Sequence, residues 1–203
     1  GLAALCGLVA SLFCHSVHFA ERKMRSLLPN PWVRVAVGGA AVVLLTLAVG
    51  SQTYNGAGMR TISAAIEGGA APAFGFLLKI LFTAITLGAG FKGGEVVPSF
   101  FVGATFGCVV GPLLGIPAGF AAAIGLAAVF CGATNCPVAS IFLSIEMFGG
   151  EGLLYFALAC GLSYIFSGYS GLYSSQTILY SKLKARYINI HTNSSPSSAH
   201  EPG

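Results

Sequence analysis

The chain has 203 residues, 55% of them hydrophobic and 8% charged, with a formal net charge of +4 and a mean hydropathy of +0.82. Soluble globular domains carry about 25% charged residues, so this composition excludes that class and indicates an integral membrane protein. The basic residues flank apolar segments and share no single face, which excludes a nucleic-acid partner. A bilayer core of about 30 Å leaves room for several spans.

The first residues, GLAALCGLVASLF, read as mid-helix, without the basic start and cleavage site of a secretory leader. The expectation is a fragment whose N-terminal part is missing. Gly1 to about Ala20 is a first apolar segment, and Arg22, Lys23, Arg25 and Arg34 mark the water side of the loop after it. His15, His18 and Glu21 fall at i, i+3, i+6, a spacing that could serve a metal. Without an HExxH pattern or a second ligand cluster, the better reading is an interfacial helix end. Val33 to about Val49 is a second span, GSQTYNGAG a polar reversal, and Met59 to Glu67 an amphipathic piece too short to cross. Phe74 to Leu87 carries Lys79 inside an apolar run, where a lone lysine either snorkels or lines a cavity.

The stretch from Gly88 to Gly115 organises the rest. Gly93-Gly94-Glu95-Val96-Val97-Pro98 is a glycine-paired loop opening a long apolar helix: the glycines admit positive φ and close approach, and Pro98 suits a first helical turn. Such a start offers unpaired backbone N–H groups on a positive dipole end, which suits an anion. From Val96 to Ile145 there is no Asp, Glu, Lys, Arg or His. Gly103, Gly107, Gly111 and Gly115 recur every four residues and are expected to line one face for close helix packing.

Gly119 to Gly132 is another apolar helix, and Asn135-Cys136-Pro137 a stop and restart. Val138 to Phe148 is apolar except for Glu146, Leu153 to Phe166 follows a glycine-rich break, and a last helix is expected after Gly171, turning basic at Lys182, Lys184 and Arg186. The polar tail, 189–203, has no means of burying surface and is expected to be disordered. Cys6, Cys14, Cys108, Cys131, Cys136 and Cys160 all lie among small apolar residues and read as packing groups, not as a disulfide framework.

Together these residues resemble the CLC family of chloride channels and chloride/proton antiporters. Gly94-Glu95-Val96-Val97-Pro98 with SFFVGATFG is similar to that family's anion loop and following helix, Asn135-Cys136-Pro137 with ASIFLSIEM to its proline-started helix, and Gly171-Leu172-Tyr173-Ser174 to its pore tyrosine. The resemblance spans about residues 1–188 and implies an all-α integral membrane fold of broken, tilted transmembrane and re-entrant helices, here the second of two inverted halves. It implies chloride or other halide ions as cargo, protons as a candidate co-substrate, membrane lipid as surroundings, a homodimer with one pore per subunit, a multi-pass position in the cell membrane, and neither a cofactor nor an enzymatic reaction.

Carried over by position, Gly94, Glu95 and Val96 form the anion loop, with the N–H groups of Glu95 and Val96 and the hydroxyl of Tyr173 contacting the ion. Glu95 and Glu146 are candidate proton-handling or structural carboxylates. Two departures stand out: Val96 occupies the family's usual Phe position, and Glu95 one that is usually apolar. GGEVVP and GATNCP are more similar to the fluoride-exporting branch, so a fluoride/proton antiporter is the alternative to a chloride transporter. Plainer readings stand beside these. Tyr173 can be an interfacial aromatic, Glu146 a hydrogen-bonding group near a helix end, Lys92 an electrostatic lure or a lipid-facing anchor, and the Glu95 side chain can turn from the pore towards Lys92. An intramembrane protease lacks a nucleophile and base close in sequence, and a structural scaffold needs no glycine-opened helix start in an uncharged region.

Overall fold

The computed structural model describes residues 1–173, 176–180, 182 and 187–191; Ser174, Lys184, Arg186 and the tail from 192 onward lie outside these. Its described helices, in chain order, are α1 (Leu2–Leu27), α2 (Pro31–Val49), α3 (Met59–Glu67), α4 (Gly75–Gly88), α5 (Val96–Val110), α6 (Ala118–Thr134), α7 (Pro137–Phe148) and α8 (Leu153–Phe166). Strands β1 (Thr177–Tyr180) and β2 (Tyr187–His191) follow. The fold is a bundle of broken apolar helices, as expected, and α3 and α8 run over the very residues read from the sequence.

Three expectations need correction. The helix α1 continues to Leu27, so Arg22, Lys23 and Arg25 sit on it and not in a loop. Alternating Glu, Arg, Lys and Met are good helix formers, and Arg25 reaches back to Glu21 at 2.6 Å across one turn. Next, the segment after Gly171 is an antiparallel hairpin and not a helix: Thr177 lies opposite His191 and Ile178 opposite Ile190. TILY and YINIH are rich in β-branched and aromatic residues, which fit a pleated strand better than a helix turn. The boundary expected between 188 and 189 therefore falls inside β2. Finally, Gly115 does not share the glycine face; it lies beyond α5 in a left-handed turn at φ 74°, with open space around it.

The other three glycines of that series set a very close approach between α5 and α6. A Cβ at Gly103 would stand 2.3 Å from the carbonyl oxygen of Gly125, and one at Gly107 2.1 Å from that of Ala121. The backbones of α5 and α6 thus touch, which only hydrogen side chains permit. Because α6 is apolar on every side it can be buried on every side. Ala121, Ile124 and Ala128 join a cluster with Phe13, Cys14, Phe156 and Cys160 of α1 and α8, while Ala122 and Leu126 join Tyr54, Ile62, Phe82 and Phe101.

By contrast, α2 has only Gly38 buried, where an added Cβ would collide with Ala89. Leu44 and Leu47 stand open, as apolar residues facing lipid do. All six cysteines are free, five buried and Cys136 exposed; Cys131 Sγ donates to the Cys160 carbonyl at 3.3 Å, joining α6 to α8.

Candidate anion site

The start of α5 is an open helix N-terminus. Glu95 is the N-cap residue in helical conformation, φ −93° and ψ −16°, and its side chain makes no capping bond. Its carbonyl receives the Ser99 N–H at 3.2 Å, so the helix is wound from here. The N–H groups of Glu95, Val96 and Val97 find no acceptor among the described residues, and Pro98 has none to offer. Positive φ, expected at Gly93 and Gly94, occurs instead at Gly90, φ 97°. A Cβ at Gly94 would meet nothing within 4 Å, so no packing within the chain requires glycine there. Gly90 makes the turn out of α4, whose last carbonyl region is held by Arg34 Nε donating to Ala89 O at 3.3 Å.

A second element converges from the break between α6 and α7. Asn135 ends α6 in left-handed conformation, φ 57° and ψ 33°, a backbone state that Asn tolerates better than most residues. The loop carrying Tyr173 is fastened to this helix end. Asn135 Nδ2 donates to Ser170 O at 2.9 Å, the Leu172 N–H donates to Ala133 O at 2.9 Å, and Gln176 Nε2 donates to Thr134 O at 3.1 Å. Lys182 closes the knot, donating to Asn135 Oδ1 at 2.5 Å, Tyr164 O at 2.8 Å and Ser167 Oγ at 3.1 Å. A cation here lies at the C-terminal ends of both α6 and α8, where the helix dipoles favour it. Tyr173 itself is 46% exposed.

The third element is the polar stripe of α1. Ser11 Oγ and Ser170 Oγ are 2.9 Å apart, His15 Nδ1 lies 3.3 Å from Ser170 Oγ, and His18 Nε2 lies 2.9 Å from Gly171 O. These histidines are not a helix end at the water interface; they grip the loop that leads into Tyr173. The spacing 11, 15, 18 within the mainly apolar N-terminal part of α1 was the signal for this contact.

The Glu95 carboxyl lies within electrostatic reach of His18 and Glu21 on α1. Its Oε2 is buried and has no hydrogen-bond partner. The expected turn towards Lys92 is not found: Lys92 is exposed, and the one ion pair among the described residues is Arg25 with Glu21.

Two further candidates sit apart from this junction. Glu146 is exposed on α7 and bonds to none of the described residues. Lys79 neither snorkels nor lines a cavity. It is 2% exposed and donates to the carbonyls of Tyr54, at 3.1 Å, and Gly56, with its ammonium 5.2 Å above the Phe101 ring. It fastens the loop between α2 and α3.

Broken apolar helices, one of them opening on unbonded N–H groups in an uncharged stretch, define the class: a polytopic helical membrane protein. The chain belongs to the voltage-gated chloride channel (CLC) family, whose sequence pattern matches residues 1–168 and whose members are multi-pass integral membrane proteins. It is 38% identical over 182 residues to the chloride/fluoride channel protein of Pseudomonas syringae pv. tomato, an alignment covering 87% of this chain and 40% of that protein. It is 29% identical to a voltage-gated ClC-type chloride channel of Salmonella typhimurium, over 75% of this chain and 38% of that one. The crystal structure of a CLC-type fluoride/proton antiporter superposes with a TM-score of 0.82 at 35% identity, covering 85% of this chain and 44% of the other. The chain thus spans about two-fifths of the length of the curated relatives it matches.

Proposed function

We propose that this chain supplies one of two inverted halves of a halide pathway, carrying anions across the membrane without breaking or making bonds. The observation that carries the reading is the row of N–H groups at Glu95, Val96 and Val97 without acceptors among the described residues, opening a stretch from Val96 to Ile145 that has no charged side chain. Burying a bare anion costs tens of kcal/mol, whereas one hydrogen bond to a charged group contributes about 1.5–3 and a helix dipole up to about 2. Several donors must therefore act together. The Tyr173 hydroxyl is the second donor, and the other half of the pathway supplies the rest; two such assemblies pair as a homodimer.

Among halides, fluoride is the reading favoured over chloride. The support is GGEVVP, which contains Glu95, and GATNCP, together with the 35% identity to a CLC-type fluoride/proton antiporter. A carboxyl oxygen buried without a partner is costly as a carboxylate, and such groups take up a proton instead. Glu95 therefore offers its N–H to the anion and its carboxyl to the proton, turned apart from one another. The experiment is reconstitution of the two-half protein in liposomes, with ion-selective electrodes reading fluoride and chloride efflux and a pH electrode reading proton movement. Fluoride efflux with opposed proton flux is expected. Equal chloride efflux without proton movement would make it a chloride channel, and no efflux of either would remove the transport reading.

A further inference from the structure

The polar stripe of α1 does something the anion-site reading does not use. We propose that His18 is a positioning residue for the anion site, holding the Gly171 carbonyl and, through it, Tyr173 two residues further on. The inference rests on the reading of Tyr173 as an anion ligand.

Three observations carry it. First, the His18 bond is directional. A carbonyl oxygen only accepts, so Nε2 must hold the proton and donate across 2.9 Å to Gly171 O, which fixes the tautomer as well as the ring. Second, the partners of the stripe are concentrated. Ser11, His15 and His18 stand on one face, and beyond bonds within their own turn all three reach residues 170 and 171. Apolar side chains would pack this half-buried face at less desolvation cost, so three polar groups aimed at two successive residues place a backbone and do not merely fill space. Third, the bonds from α6 hold Ser170 O and the Leu172 N–H, but none of these holds Gly171 O. His18 holds the carbonyl of the residue between these two anchored neighbours. It does so from α1, the helix whose Ser11 and His15 hold the preceding residue, Ser170.

The test is fluoride binding by titration calorimetry on the purified two-half protein carrying His18→Leu, His18→Gln, Tyr173→Phe and the Leu/Phe double substitution. Losing one ordinary hydrogen bond corresponds to about two- to tenfold in Kd. His18→Leu is expected to weaken binding by that factor. His18→Gln, whose amide N–H reaches a similar distance, is expected to stay within about twofold of the unsubstituted protein. In the Tyr173→Phe background His18→Leu should add nothing, because it acts only through the tyrosine.

Equal losses from His18→Leu in both backgrounds overturn the inference and make His18 a general packing residue. Weakened binding in Tyr173→Phe with unchanged binding in His18→Leu overturns the inference while leaving the tyrosine reading intact. Unchanged binding in Tyr173→Phe overturns both. If His18→Leu does not fold, His18→Asn, polar but too short to reach Gly171 O, replaces it with the same expected loss.

Discussion

At the scale of single residues, Tyr173 and Glu95 carry the sharpest expectations. Replacing Tyr173 by Phe removes one donor and no bulk, so fluoride affinity should fall by about 0.5–1.5 kcal/mol, read by calorimetry; unchanged affinity would return Tyr173 to the membrane interface. Glu95→Gln keeps the shape and the backbone N–H but carries no exchangeable acid proton. Anion flux should persist while proton movement is lost, measured with paired ion and pH electrodes in liposomes. Should proton movement survive, Glu95 serves through its backbone alone. Lys79→Met strips the buried carbonyl of Tyr54 and the part-buried one of Gly56 of their donor. An unsatisfied buried acceptor costs about 1–3 kcal/mol, so the melting temperature in detergent should fall even though the new side chain packs well.

At the scale of elements, α5 and α6 form the frame on which the anion loop stands. Because a Cβ at Gly107 would lie 2.1 Å from a backbone oxygen of α6, Gly107→Ala forces the two helices apart. Overpacking of this kind costs about 1–3 kcal/mol. Gly94→Ala is the control, since a Cβ there meets nothing and its φ is not positive; it should melt within about 0.5 kcal/mol of the unsubstituted chain. Similar melting of both variants would remove the packing role of the glycine face. That face was legible as a four-residue repeat, yet the repeat also included Gly115, whose place was decided by the turn that ends α5.

At the scale of the whole molecule, the exposed surface is the informative feature. Trp32, Leu47 and Leu154 stand 84%, 73% and 68% open, and the N–H groups at the start of α5 are unbonded. Apolar surface is at ease in lipid, but each bare polar group in hydrocarbon costs several kcal/mol. The 203-residue chain alone should therefore aggregate or join another half, and liposomes containing only this chain should release halide no faster than empty ones. Rapid release from them would show that one half suffices.

The sequence by itself determined the membrane character, the helix bounds of α3 and α8, the break at Asn135-Cys136-Pro137 and the open helix start at Glu95. Each depends on local chemistry: apolar content, proline and glycine, and the four N–H groups any helix start leaves over. Only the tertiary structure decided that His15 and His18 grip residues 170 and 171, that Lys79 is buried on loop carbonyls, that the Glu95 carboxyl comes within electrostatic reach of His18 and Glu21, and that the chain after Gly171 returns as a hairpin. Those outcomes depend on which faces meet, across 25 residues of chain for Lys79 and 153 for His18, and a polar side chain on an apolar helix does not say by itself which distant carbonyl it will satisfy.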